Sequence, residues 1–337
     1  MAFQIFRQDD IVSNQKTTIS SGLWSGGSST LTSFYTQSSN GSITGSFLEL
    51  YNEDPNLSSS AEVQFSLGYA NIDGSGSAGN ITKLTTGGRQ SAALYRQFRN
   101  LLLAPNTTYI EFTNGTADSK KDFYFISFQR ARQREKIDPG NWELHLDSGN
   151  NVVKLIDDSG AATNPTVNQG GRVFNVVSGT IAAGIETAAA SEGGEGAYGL
   201  FYPDLGIILL NAQKLDDDVA DISTGRSTDA FNNNPQKLYN SIVEGSYFQA
   251  RREEQISSTN YFVRVNNKSF NFSTNPTYAT ASDGSLTQAT FYKDPKTFIT
   301  QVGLYNDANE LLAIAKLSKP VLKSYSREAI IKVKLDF

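Results

Sequence analysis

Residues 331–337, Ile331-Lys332-Val333-Lys334-Leu335-Asp336-Phe337, alternate apolar and charged side chains at a period of two. Only an extended chain puts Ile331, Val333, Leu335 and Phe337 on one face and the charges on the other, so the segment is expected to be a half-buried strand. Upstream, residues 298–305 are bulky and β-prone, Asn306-Asp307-Ala308-Asn309-Glu310 supplies turn chemistry, and residues 311–317 resume as a second apolar run. That pattern predicts a β-hairpin. Ser318-Lys319-Pro320 follows the second run, ahead of the final strand.

The same bias runs through the chain. Its 20 Phe and 15 Tyr, against two Trp and one Met, stand among abundant Ser, Thr, Asn and Gly, a mixture that favours strands over helix bundles. The expected fold is mainly β with a few helices, an α+β arrangement of antiparallel β structure with long polar loops and two amphipathic helices. A length of 337 residues suits two or three cores, although β-rich domains of this length also occur as one unit, and two are expected. The divisions suggested are an N-terminal arm and strand region over 1–60, a central β-rich domain over 61–255, and a C-terminal β unit over 256–337.

The central region carries the clearest helix signal at residues 91–103, where Leu94, Phe98, Leu101 and Leu102 share a face and Pro105 follows. A second helix is expected over 235–251, with Asn234 as N-cap and Pro235 at the first helical position. Between them, residues 122–136 read as one long strand, Asp138-Pro139-Gly140 as a turn, and Trp142-Glu143-Leu144-His145-Leu146 and residues 152–156 as a meander. Residues 182–196 are small and Gly-rich, an expected loop, and Gly206-Ile207-Ile208-Leu209-Leu210 reads as a buried strand. No fixed-period repeat is apparent, which argues against solenoids and propellers.

Chemistry is constrained by what the composition contains. With no Cys, disulfides, thiolate metal sites and a cysteine nucleophile are excluded, and one histidine, His145, would have to serve any imidazole-dependent site. On its strand His145 shares a face with Glu143 and Asp147, which is also how a solvated face looks. Gly74-Ser75-Gly76-Ser77-Ala78-Gly79 matches a dinucleotide-type glycine pattern but lacks the following helix, so a loop is the better reading. Asp216-Asp217-Asp218 with Asp221 lacks calcium-loop spacing, and Asn306 to Glu310 reads as a turn. No catalytic, cofactor-binding or metal-ligating residue is therefore assigned, and no cofactor is expected.

Arg130, Arg132, Arg134 and Lys136 would project from one side if the strand continued, and four such cations need anionic neighbours. With a net charge of -5, carboxylates of this chain or of a protein partner are favoured over nucleic acid. Candidate partner-binding residues are Arg130, Arg132 and Arg134, together with Lys332, Lys334 and Phe337 of the last strand. Residues 1–7 lack the basic start and apolar core of a signal peptide, and no apolar run reaches bilayer-spanning length. The product is expected to stay in a cytoplasm, or to leave it by a route other than secretion, with no membrane partner.

Several segments together resemble virion structural proteins of contractile-tailed phages, especially those infecting marine cyanobacteria. They are residues 93–103 (Ala93-Leu94-Tyr95-Arg96-Gln97-Phe98-Arg99-Asn100-Leu101-Leu102-Leu103), 137–144 (Ile137-Asp138-Pro139-Gly140-Asn141-Trp142-Glu143-Leu144) and 198–208. To these add Phe298-Ile299-Thr300-Gln301-Val302-Gly303-Leu304-Tyr305 with the return Leu311-Leu312-Ala313-Ile314-Ala315-Lys316, similar to segments of phage baseplate and tail-fibre-attachment proteins. The resemblance covers about residues 65–337. It implies a non-enzymatic virion protein assembled in the host cytoplasm, in the tail baseplate (wedge) or at a tail junction. Its implied partners are other tail and baseplate proteins, with a homo-oligomer compatible. The alternatives are a host-receptor or glycan-binding fibre component, and a glycan-cleaving tail enzyme.

Overall fold

The computed structural model describes residues 4–37, 47–76, 90–112, 120–147, 149, 152–161, 166–186, 198–218, 233–280 and 283–336. In chain order the strands are β1 (Ile11–Gly22), β2 (Thr30–Leu31), β3 (Phe47–Tyr51), β4 (Val63–Asn71), β5 (Asp122–Phe128), β6 (Lys136–Asp147), β7 (Val152–Asp157) and β8 (Thr166–Asn168). They continue as β9 (Gly171–Thr180), β10 (Gly184–Ile185), β11 (Gly199–Tyr202), β12 (Ile207–Asn211), β13 (Phe248–Val265), β14 (Thr297–Tyr305), β15 (Leu311–Lys323) and β16 (Ala329–Asp336). The α-helices are α1 (Gln90–Leu102), α2 (Arg130–Gln133), α3 (Ala212–Asp218) and α4 (Asn234–Gly245). The fold is mainly antiparallel β with a few helices, as the composition implied. Two compact units divide it: Ile19–Glu254, and Met1–Thr18 with Gln255–Phe337.

In the larger unit the strand order is β6-β7-β9-β11-β12-β5-β4-β3, with Phe248 of β13 opposite Leu144 of β6. Its central strands are buried on both faces, which is why β5 and β12 are mostly apolar rather than alternating. Along β5, Phe123 and Phe125 point into one cluster while Tyr124, Ile126 and Phe128 point into another; along β12, Ile207 and Leu209 oppose Ile208 and Leu210 in the same way. Helix α1 closes the first cluster with Tyr95, Phe98 and Leu102, spaced as one helical face requires. The buried stripe is thus centred on Tyr95, whose hydroxyl donates to the Lys120 carbonyl, and Leu101 is exposed instead of sharing it. Helix α4 covers the second cluster with Leu238 and Ile242, beside Trp24, Trp142 and Phe248.

Three expected boundaries move. The segment expected as one strand over 122–136 is two: β5 ends at Phe128, α2 makes a single turn, and Arg134 takes φ 56 before β6 begins. Asp138-Pro139-Gly140 lies inside β6, because Ile137 and Trp142 pair with Arg252 and Ala250 on either side of it. Asp138 to Asn141 therefore form a bulge opposite Arg251 alone, with Gly140 at φ 79 and its N–H donating to Asp157. The second helix stops at Gly245 rather than near residue 251: Ser246 adopts a left-handed φ of 50 and β13 starts at Phe248.

In the smaller unit, β16 pairs with β13 from Ser258↔Asp336 to Val265↔Ala329. The predicted hairpin is present, β14 pairing with β15, and forms its own two-stranded sheet. Leu304, Ile331 and Val333 are buried together, with Ile299, Val302, Ala313, Ala315, Tyr261 and Val263 packed around them. Pro320 lies inside β15. Ile299 pairs with Val321 and Gln301 with Lys316, so Leu317 to Pro320 bulge opposite Thr300, a position where proline's missing N–H costs no ladder bond.

Candidate interaction surface

The β14–β15 hairpin sorts its side chains by the period of two. Val302 and Leu304 of β14, with Ala313 and Ala315 of β15, face the small core. The opposite face stays in water although it is apolar: Phe298 is 62% exposed, Leu312 67% and Ile314 54%, with Tyr305 and Leu311 beside them. Tyr305, Leu311 and Ile314 adjoin around Gly303 while Phe298 lies further along β14 beyond the Gln301–Lys316 pair, and clustered apolar side chains, as distinct from scattered ones, mark contact sites. Gly303 pairs with Ile314, and the Tyr305 ring lies across it; a Cβ there would meet that ring at 2.9 Å and Leu311 at 3.3 Å.

The tip is held by its own polar groups. The Asn306 N–H donates to the Glu310 carbonyl at 3.1 Å, the Glu310 N–H donates to Asn306 Oδ1 at 2.8 Å, and Asn309 takes the left-handed φ of 61. These residues form the expected turn. At the other end, Lys323 donates to the carbonyls of Asn267 and Ser324 at 2.8 Å and to Asn271 Oδ1 at 2.9 Å, while Thr297 donates to the Phe270 carbonyl.

The cationic residues singled out in the sequence do not form one face. Arg132 meets Glu62 at 2.5 Å, Arg134 meets Glu254 at 3.0 Å, and Lys136 meets Glu253 at 2.9 Å, so the chain supplies its own carboxylates. Arg130 donates to the Glu135 carbonyl. The turn of α2 fans these side chains apart, which relieves the repulsion a straight strand would impose. Lys332 and Lys334 belong to the smaller unit and do alternate outward from β16, Lys332 lying over the Phe262 ring and Lys334 pairing with Asp336 at 2.9 Å. Phe337 lies outside the described residues.

Around His145, Nε2 and Glu143 Oε1 are 2.7 Å apart, Glu143 Oε2 accepts the Ile181 N–H, and the Tyr247 ring stacks on the imidazole at 4.4 Å. Burial, and then the Glu143 charge, push the Tyr247 phenol up. Glu143 is buried, so this is a packed junction and not the solvated face the alternation suggested. Among the described residues no group of three His, Asp or Glu could hold a metal ion. Of the glycine pattern at 74–79, residues 77–79 lie outside the described residues, as do Asp221 and the side chains of Asp217 and Asp218.

No family model, curated protein or solved structure matches the chain.

Elsewhere in the smaller unit, Phe272 and Tyr292 line a shallow groove with Ser285 and Leu286. Asp283 accepts from Thr280 Oγ1 and from the N–H and hydroxyl of Ser285, which hold its carboxyl down at about 2. Among the described residues no helix is long and apolar enough to cross a membrane. The apolar hairpin face was half legible in the sequence: the β pattern predicted the hairpin, but a two-sided apolar pattern reads locally as burial on both faces.

Proposed function

We propose that this chain is a non-enzymatic structural component of a phage particle, in the tail baseplate or at a tail junction, acting through protein–protein contacts. The observation that carries the reading is the solvent-facing apolar side of the β14–β15 hairpin, Phe298, Tyr305, Leu311, Leu312 and Ile314. It coincides with the segment that most resembles phage baseplate proteins. A two-stranded ribbon that spends its outer face on exposed Leu and Ile gains nothing from them alone, whereas a neighbouring subunit covering them gains on the order of 25 cal/mol per Å² of apolar surface.

The test is substitution on that face. Leu312→Asp with Ile314→Asp changes only exposed side chains and leaves Leu304, Ile331 and Val333 in place. The variant is expected to be soluble and folded but missing from particles assembled in its presence. Normal incorporation would overturn the reading, and so would absence of the unaltered protein from purified particles. Truncating β16 is a poorer test, because Ile331 and Val333 are core residues.

A further inference from the structure

We propose that the side chains of Lys323 and Asn271 condense into an amide bond inside the smaller unit, with loss of ammonia, so that the folded chain makes its own cross-link. The proposal is independent of the assembly reading. The two groups already meet: Lys323 Nζ donates to Asn271 Oδ1 at 2.9 Å, and the carboxamide carbon lies one bond beyond that oxygen. The lysine side chain is fully buried, and its other two acceptors, at 2.8 Å, are the backbone carbonyls of Asn267 and Ser324. None of the three carries a charge. Burial disfavours the ammonium more than the charge of Glu328 favours it, so the amine gives up its proton more readily than an ordinary lysine. A neutral amine has two N–H groups and one lone pair. Backbone carbonyls can only accept, so Asn267 and Ser324 take the two N–H groups and the lone pair is left to face the Asn271 carboxamide.

Asn271 is held for this by backbone strain and by its neighbours. Phe270 before it takes a left-handed φ of 58, which a bulky side chain avoids and which persists where the surroundings over-determine it, as working sites do. The Thr297 hydroxyl donates to the Phe270 carbonyl at 2.8 Å, and the Tyr278 hydroxyl donates to the Asn271 carbonyl at 2.9 Å. Burial, and then Tyr325, push the Tyr278 phenol up, so it stays neutral. Asn271 Nδ2 donates at 2.6 Å to the Asn267 carbonyl, the same oxygen that holds Lys323 Nζ. In the reaction Nζ attacks Cγ of Asn271, one proton passes from Nζ to Nδ2, the Cγ–Nδ2 bond breaks and ammonia leaves. Nothing is oxidised or reduced. Fixing the two groups side by side removes the entropy cost of bringing them together. No carboxyl group bridges the two nitrogens, so the bond is expected to form slowly after folding, and until it does Lys323 titrates. The joined residues are 52 apart in sequence, and the span between them holds the groove and the β14–β15 hairpin. The bond ties the base of that span shut.

Intact-mass spectrometry on the full chain tests this, on fresh protein and on protein kept for days at about pH 9, where more of the amine is neutral. The aged chain is expected to be lighter by one ammonia, and its digest to contain a branched peptide joining residue 271 to residue 323. Formation is expected to quicken about tenfold per pH unit while the ammonium predominates. Asn271→Ser, which removes the carboxamide from a partly exposed position, and Lys323→Met are each expected to keep the full mass, with folding confirmed by circular dichroism. An asparagine that cyclises on its own backbone also loses ammonia, but that loss would persist in Lys323→Met and would yield no branched peptide. A parent chain still at full mass after ageing overturns the proposal. So does a loss of ammonia without the branched peptide, or one that either variant retains.

Discussion

Lys323 is the residue on which the smaller unit makes its most unusual commitment. Its side chain is out of contact with water, and all three ammonium protons go to neutral oxygens on Asn267, Asn271 and Ser324. Desolvation holds its pKa below the ordinary lysine value. A lysine whose folded pKa is depressed binds fewer protons folded than unfolded in the window between the depressed value and the ordinary 10.5. Stability is expected to rise with pH across that window, the reverse of a lysine that gains a carboxylate. Lys323→Met should abolish that slope and strand three acceptors, at a cost of about 2–4 kcal/mol. Urea titrations at several pH values read both, and a variant as stable as the parent with an unchanged slope would refute the role.

At the scale of elements, the sequence was most legible where one segment's pattern is decided by its own burial. The alternation of β16, the hairpin and the face of α1 were readable to within a position, because each buries a stripe that its own periodicity defines. What was not legible depends on distant chain. Nothing in Gln129 to Glu135 announces a turn of helix; the carboxylates that draw Arg132 and Arg134 apart, Glu62 and Glu254, are remote in sequence. Asp138-Pro139-Gly140 has turn chemistry and makes a bulge, because β13 pairs with β6 on both sides of it. The end of α4 did have a signal, the Gly245-Ser246 pair, and its reason is steric. A Cβ on Gly245 would sit 2.3 Å from the His145 carbonyl oxygen, which is backbone and cannot swing aside. Gly245→Ala is expected to push the helix end off β6 and cost about 1–3 kcal/mol. Thermal denaturation reads this, and an unchanged midpoint would show that the helix has room.

For the whole molecule, the modest net charge of -5 hides an asymmetry. The smaller unit carries 12 Lys and Arg against 8 Asp and Glu, and the larger carries 17 against 26. A +4 unit and a -9 unit in one chain give every copy the means to attract another electrostatically. A contact through the exposed apolar face of the hairpin, Leu311, Leu312 and Ile314, would use none of those charges. Two kinds of self-association are therefore separable by salt. Attraction between oppositely charged units is screened as the Debye length shrinks, whereas strand pairing and apolar burial are not. Raising salt from about 0.05 to 0.5 M is expected to change the dissociation constant of a contact made through that apolar face by less than about threefold. Steep weakening over that range would place the contact on the charged surfaces of the two units.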